Sequence, residues 1–391
     1  MCCDICFITT ILTKMSSSLT RLKECFDELP DPRVEGRTSH RLIDILVLTT
    51  CAVVAGADDW EYVEMWGTEK LEWLRQFVPL ENGIPSHDTI GRVFAAIDRK
   101  CFQACFTRWV STICTSLEGE VVAIDGKTMR GSHHRRVGKS AIHMVSAFVS
   151  GRGITLGQLS TDAKSNEITA IPQLLDMLDV QGSTVTIDAM GCQTAIAAKI
   201  VEKGAHYVLG LKGNQEKLAE QVADFFEIAE QEGYKNLVAV EDINYDKGHG
   251  RIETRRCVAL ATTHLENTGA WPGLSSMVMV ESTREIGDQR SCEKRFYISS
   301  MAPDSRAVAN AIRSHWGIEN QLHWCLDVTF KEDACRIRTG NAAENLNVVR
   351  KIAMNLLKAT TSRKLSVAKK RQLATLNESY LAEVLGLRPC V

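Results

Sequence analysis

Asp125 and Asp188 occupy positions in the sequence at which their carboxylates could bind one divalent cation together. Asp125 follows the apolar run Val121–Ile124, and Asp188 follows the apolar run Thr184–Ile187. Both runs have the length and composition of buried strands, and the carboxyl ends of neighbouring parallel strands meet at one edge of a sheet. Because two ionised carboxylates repel each other, a shared site favours a hard divalent cation. Two such cations can activate a water molecule and stabilise the leaving oxygen of a phosphodiester.

A third acidic residue lies on a later segment that has helical spacing. His315, Glu319, His323 and Asp327 recur at every fourth position, which predicts one stripe along a helix. The same stripe allows two other interpretations, a zinc site built on the histidines and a solvent-facing structural helix. Each aspartate could also be an ordinary strand-end or cap residue. The order of strand, strand and acidic helix favours the shared metal site.

The elements that must position these residues form an α/β arrangement. After Asp125 the pattern predicts strands around the hairpin signal Ser150–Gly153, then a helix, the strand before Asp188, a helix and the strand 207–211. We expect an α/β fold with a mixed sheet that starts at a hairpin and is flanked by helices. The predicted domains are an extension of doubtful origin over 1–15, a helical domain over 16–115, a catalytic core over 118–234 and 301–360, a β-rich insertion over 235–300, and a basic C-terminal tail over 361–391.

Composition gives little global information about partners. The formal net charge is −2, so any nucleic-acid surface must be local, as in the segment 336–391, where eleven Lys and Arg residues face three Glu. The longest apolar stretch, 42–57, contains Asp44 and is short for a membrane span. The fourteen cysteines are scattered, which favours free thiols over a disulfide framework. We therefore expect a cytoplasmic protein that does not bind a membrane.

At the acidic residues the sequence resembles a known family, the DDE transposases of bacterial insertion sequences, and within it the H-repeat-associated branch. The resemblance spans about 19–358. The segments that carry it are Ala123–Ser132 (AIDGKTMRGS), Thr186–Met190 (TIDAM), Leu211–Gln215 (LKGNQ), His249–Arg255 (HGRIETR), His315–Asn320 (HWGIEN) and its continuation to Asp333, and the N-terminal Gly83–Thr89 (GIPSHDT).

The resemblance implies an RNase H-like catalytic fold and an acidic triad of Asp125, Asp188 and Glu319 that binds Mg²⁺, with Mn²⁺ as an alternative ion. It implies hydrolysis and strand transfer at the ends of a mobile element. The sequence departs from related elements around the glutamate. Where they carry Tyr, Arg and Lys, this chain has Ile312, His315 and Leu326.

The expected partners are double-stranded DNA, both the terminal inverted repeats and the target, and a second copy of the chain when two ends are paired near the nucleoid. The residues expected to bind DNA are Lys127, Arg130, Lys212, Asn214, Arg251, Arg255, His315, Arg336 and Arg338. Trp316 and Trp324 are expected in the core, with stacking on a flipped base as the alternative. Two other functions remain open: a metal-dependent DNA nuclease without strand transfer, and an inactive DNA-binding relative.

Overall fold

The computed structural model describes residues 17–133, 138, 140–161, 167–235, 237, 239–248, 251–265 and 268–387. The predicted extension over 1–15 lies outside these residues, as does His249 of the HGRIETR motif. The chain divides into two compact units. The first combines Met1–Thr115 with Leu326–Val391, and the second is Ser116–Cys325.

The first unit is helical. Its two long buried helices, α2 and α12, pack against each other, and all thirteen residues of α2 are buried. Ser86 caps α5 by accepting a hydrogen bond from the N–H of Thr89, as the sequence predicts. The helices are α1 (Ser18–Phe26), α2 (Leu42–Val54), α3 (Trp60–Glu69), α4 (Leu71–Leu74), α5 (His87–Ala96) and α6 (Arg99–Ile113), then α12 (Ala342–Ala359), α13 (Val367–Leu376) and α14 (Glu378–Val384).

The C-terminal stretch differs from the predicted basic tail because it contains two helices, α13 and α14. Arg371 on α13 is only 6% exposed. Its guanidinium donates hydrogen bonds to the carbonyls of Val53 and Ala57 and forms an ion pair with Asp58 at 2.8 Å. Part of the basic charge in this stretch therefore stabilises the helical unit and is not available to a partner.

The second unit is built on one sheet of nine strands in the order β3-β2-β1-β4-β5-β9-β8-β7-β6. Strands β1, β4 and β5 are parallel, and the remaining pairs are antiparallel. The strands are β1 (Val121–Met129), β2 (Ile142–Val149), β3 (Ile154–Thr161), β4 (Thr184–Ile187), β5 (His206–Leu211), β6 (Val240–Gly248), β7 (Arg251–Ala261), β8 (Ser276–Ile286) and β9 (Gln289–Ser299).

The first five strands have the RNase H-like arrangement that the sequence predicts, including the hairpin at Ser150–Gly153, where Gly153 has a φ of 68°. The predicted β-rich insertion forms strands β6–β9, which we call the ribbon. The ribbon continues the same sheet, because β9 pairs directly with β5.

Helices cover both faces of this sheet. They are α7 (Glu167–Asp176), α8 (Thr194–Glu202), α9 (Glu216–Gln231), α10 (Ser305–His315), a π-helix (Ile318–His323) and α11 (Trp324–Val328), which crosses the boundary between the units. Among the described residues no helix is long and apolar enough to cross a membrane, and every described cysteine is a free thiol.

Candidate active site

Asp125 and Asp188 lie side by side at the carboxyl edge of the parallel strands. β1 and β4 pair in register so that Ile124 lies opposite Ile187, and each aspartate is the next residue in its chain. Adjacent strands are about 4.8 Å apart. The two side chains therefore leave the sheet as neighbours, as the two apolar runs predict.

Local hydrogen bonds fix the position of Asp188. Its Oδ1 accepts the N–H groups of Met190 at 3.0 Å and Gly191 at 3.3 Å, which caps the short turn after β4. Asn214 donates from Nδ2 to the carbonyl of Ala189 at 2.5 Å. Gly210 on β5 allows this turn to approach, since a Cβ there would lie 3.1 Å from the Ala189 nitrogen. The turn thus holds one carboxylate oxygen of Asp188 and leaves Oδ2 without a hydrogen bond to any described residue.

A buried histidine–carboxylate pair lies against Gly126, directly behind Asp125. His143 on β2 and Glu167 on α7 are 3% and 5% exposed, and His143 Nε2 lies 2.5 Å from Glu167 Oε1. The other ring nitrogen of His143 lies 3.0 Å from Thr128 Oγ1. A Cβ on Gly126 would lie 2.4 Å from both paired atoms. The pair of His143 and Glu167 therefore requires glycine at position 126, directly after Asp125.

Glu319 lies on the π-helix that follows α10 and is exposed. Hydrogen bonds position the start of this segment, because Ser150 Oγ in the β2–β3 turn donates to the carbonyl of Ser314 at 2.6 Å. Gly317 allows that approach, since a Cβ there would lie 2.9 Å from Ser150 Oγ. A π-helix inserted into an α-helix changes which side chains share a face, and such segments are frequent at functional sites.

Asp125 interacts electrostatically with Asp188 and Glu319. Burial raises the pKa of Asp125 to about 7, the N–H of Gly126 opposes this rise, and the charges of Asp188, Glu167 and Glu319 add to it. Burial is the largest cause of the raised pKa, and the three neighbouring acids make the ionised form of Asp125 still less favourable. A divalent cation would remove that penalty, so the donor set fits the hard cation that the sequence predicts.

His315 and His323 of the predicted stripe lie against different strands of the site, His315 against β4 and His323 against β1. His315 Nδ1 lies 3.0 Å from Thr186 Oγ1 on β4, and burial lowers the pKa of His315 while the charge of Asp188 opposes this. His323 Nδ1 lies 3.6 Å from Asp125 Oδ2. Among the described residues, the ligand atoms of His315, Glu319 and His323 do not all lie within 4.8 Å of one another. Zinc bonds of about 2.0–2.1 Å need closer ligands, so this geometry does not favour the zinc interpretation.

The described part of the chain has one set of three potential ligand atoms within 4.8 Å, and it belongs to Asp327, Glu332 and Asp333 of the first unit. Glu332 is 2% exposed and accepts a hydrogen bond from Asn347. Oxygens from Asp125, Asp188 and Glu319 are spread more widely than this. A pair of cations about 4 Å apart accommodates such a spread, because the carboxylates do not all have to bind one ion.

Comparisons with known proteins agree with this site. Residues 116–356 match the family described as the transposase DDE domain, and residues 23–110 match the domain associated with it. The chain belongs to the DDE transposase family.

Two relatives from Escherichia coli show how much of the chain the similarity covers. The YncI protein of strain O157:H7, named as a transposase, is 45% identical over 375 residues, which cover 94% of this chain and 95% of that protein. The YhhI protein of strain K12, named as an H repeat-associated transposase, is 41% identical over 377 residues, with coverage of 94% and 98%.

The basic residues expected at the transposase site fall into three groups. Lys127, Arg130 and Lys212 lie close along the chain to the aspartate-bearing edge, and Arg130 and Lys212 are exposed. Arg251 and Arg255 lie on the ribbon strand β7 and pair with Glu253.

The third group consists of Arg336 and Arg338, which belong to the first unit. Asn214 and His315, both expected to contact DNA, also form hydrogen bonds within the protein, with the carbonyl of Ala189 and the hydroxyl of Thr186.

Two tryptophans on the Glu319 segment were expected in the core, and that prediction is wrong. Trp316 is 41% exposed and Trp324 is 59% exposed. The side chains that pack inward on the π-helix are Ile318 and Leu322, both at 0% exposure. Trp316 is the C-cap of α10, where the regular helical spacing ends. Trp324 follows the π-helix, whose wider turn changes the face on which it lies.

Sequence reasoning missed His143 and Glu167, which pair against Gly126, and the ribbon arginines Arg284 and Arg295. The one local signal was Gly126, because glycine inside a strand often marks a close approach by another group.

Proposed function

We propose that this chain is a DNA transposase that hydrolyses a phosphodiester at each end of an insertion sequence and joins the freed 3′-hydroxyl to target DNA. Asp125, Asp188 and Glu319 would hold the divalent cations, with Mg²⁺ as the expected ion and Mn²⁺ as an alternative. The observation that carries the proposal is the register of β1 and β4, which sets two aspartates side by side, together with the charge of Glu319 acting on Asp125.

The residues of the chain would act by position and charge. Divalent cations, when bound, supply Lewis-acid activation and stabilise the charge that develops on the attacking and leaving oxygens. Asp188 would present Oδ2, while the N–H groups of Met190 and Gly191 hold Oδ1 in place. Water is the nucleophile in hydrolysis and the freed 3′-hydroxyl is the nucleophile in joining, so no covalent intermediate with the protein is needed.

Phosphate groups of the DNA would meet the basic residues beside the triad. Lys127, Arg130 and Lys212 have the position for this role, since each lies within a few residues of a strand end at the catalytic edge. Neutralising several phosphates makes binding fall steeply with salt. Pairing two element ends requires two catalytic sites, so we propose that two copies of the chain assemble on DNA, and that they do so at the nucleoid.

The test uses the inverted repeats that bracket the gene as labelled duplexes, with a target plasmid and Mg²⁺. The wild-type protein should give both cleaved ends and end-to-plasmid joined products. Asp188→Asn should lose both products by several orders of magnitude while DNA binding is retained. Asp179→Asn removes an exposed carboxylate before β4 and is the matched control that should keep both products.

Two results would replace this function by another. Cleavage without joined products, under conditions in which target DNA is bound, would identify a nuclease. Equal behaviour of Asp188→Asn and the wild type in every assay would identify a DNA-binding protein without catalysis.

A further inference from the structure

One face of the ribbon gathers three arginines around one buried glutamate. Side chains alternate between faces along a strand, so Arg251, Glu253 and Arg255 of β7 share one face. The register of β7 and β8 places Arg284 opposite Glu253 on that face. We call it the arginine face. Cys257 and Ala259 extend the same face and pack beneath α10.

A buried carboxylate organises the arginine face. Glu253 is 6% exposed. Its Oε1 pairs with Arg251 Nε at 3.2 Å and with Arg284 Nη2 at 3.1 Å, and its Oε2 pairs with Arg255. One guanidinium would compensate one buried carboxylate, so three leave a local excess of two positive charges. Asp246 of β6 lies opposite Glu253 on the same face and pairs with Arg313 of α10 at 3.3 Å, so it does not cancel this excess. Arg255 Nη1 is buried and has no hydrogen-bond partner among the described residues.

The opposite face has no such excess. There Arg256 pairs with three glutamates, Glu230, Glu241 and Glu281. Lys294 pairs with Glu230 at 2.6 Å. The strand register also places Lys247, Arg290 and Glu285 on this face, so four bases meet four acids. The excess of arginine is therefore a property of the cluster around Glu253.

The arginine face is continuous with the catalytic segment. Arg295 of β9 pairs with Glu293, and its guanidinium lies 5.3 Å from the ring centroid of Trp316. Trp316 precedes Glu319 by three residues. The hydrogen bond from Arg295 lowers the pKa of Glu293, and the charge of Lys212, at the end of β5, lowers it further. Positive groups thus extend from the catalytic edge along the ribbon.

We propose that the arginine face binds backbone phosphates of the duplex DNA that enters the catalytic site, with Glu253 holding the three guanidiniums in position. This inference rests on the proposed function. Arginine suits the task because its planar fork can bind a carboxylate and still present donors to a phosphate. Residues two apart on a strand are separated by roughly 7 Å, about the axial advance of two base pairs.

The test measures how salt weakens binding, because each phosphate contact contributes about 0.9 to the slope of log affinity against log salt. The probe is a short fluorescein-labelled duplex of arbitrary sequence, since backbone contacts do not depend on sequence. The variant is Arg251→Gln with Arg284→Gln. These side chains are 47% and 53% exposed, and Arg255 remains to pair with Glu253.

The double variant should lower the slope by about 1.8, which corresponds to roughly 60-fold weaker binding at ~0.1 M salt. Arg251→Lys with Arg284→Lys keeps both charges and should restore most of the slope. Arg290→Gln is the matched control. Arg290 lies at the β8–β9 turn, is 72% exposed, pairs with Glu285 and should leave the slope unchanged. Thermal unfolding of each variant verifies that it is folded, and Arg284→Gln alone replaces the double variant if that fails.

An unchanged slope in the folded double variant, with normal binding by the wild type, would refute the proposal that the arginine face binds DNA. It would leave the proposed function intact. A fall of the same size in Arg290→Gln would also overturn it, because the effect would then follow net charge. Absence of any salt-dependent binding by the wild type would instead remove the proposed function.

Discussion

The raised pKa of Asp125 makes a prediction about stability in the absence of metal. The folded carboxyl has a pKa of about 7, against an ordinary value of 3.8. Between these values the folded state binds more protons than the unfolded state, so stability falls as pH rises from about 4 to 7. The full difference between the two pKa values corresponds to about 4 kcal/mol in the free energy of unfolding. Because the side chain is 19% exposed, we expect about 2–4 kcal/mol after allowance for solvent screening.

Asp125→Asn removes the titration, and the comparison of the two proteins measures it. With EDTA present, the variant should match the wild type in free energy of unfolding near pH 4 and exceed it by about 2–4 kcal/mol at pH 8. Urea denaturation at several pH values gives these energies. Adding Mg²⁺ at pH 8 should stabilise the wild type, since an ion that binds only the folded state raises its stability, and should have little effect on the variant.

The control is Asp179→Asn, which removes an exposed carboxylate and should give a difference that does not depend on pH. A pH-independent difference for Asp125→Asn as well would refute the argument, because it would show that Asp125 ionises in the folded protein as easily as in the unfolded chain. Equal stabilisation of both proteins by Mg²⁺ would refute the assignment of Asp125 as a cation ligand.

Two further predictions concern the buried pair behind Asp125. Gly126→Ala places a methyl group 2.4 Å from both His143 Nε2 and Glu167 Oε1. It should cost about 1–3 kcal/mol of stability in urea denaturation, as overpacked cores do, and a neutral effect would mean that the pair moves freely. Glu167→Gln removes one of the charges that raise the pKa of Asp125. The pH range over which Asp125 affects stability should therefore move lower, and an unmoved range would show that the charge of Glu167 does not act on this pKa.

The parts of the site that could be predicted are those encoded by local patterns. Short apolar runs identify β1 and β4, and their last residues are followed by Asp125 and Asp188. The topology that makes the two strands neighbours follows from the alternation of strands and helices. Glu319 is predicted as a site residue from the family resemblance and from a stripe with helical spacing. The segment that bears it is a π-helix in the structure.

The remaining features depend on contacts between distant parts of the chain. The pairing of β9 with β5 makes the ribbon part of the catalytic sheet, yet nothing in either strand specifies the other. Arg371 lies in a stretch whose composition predicts an exposed basic tail, while its partner Asp58 is far away in the sequence. His143 and Glu167 are likewise separated in the sequence and meet only in the folded protein. Charged residues that stabilise each other inside a protein have no local signature until the fold joins them.

The packing of α10 links the ribbon to the acidic triad physically. Val308, Ala311 and Ile312 of this helix pack against Val208 of β5 and against apolar residues of β7 and β8. The helix leads directly into the segment that bears Glu319. Because close-packed side chains transmit displacements instead of absorbing them, a shift of the ribbon strands beneath α10 must move the start of that segment. DNA held on the arginine face would therefore act on the same rigid support that positions the third carboxylate.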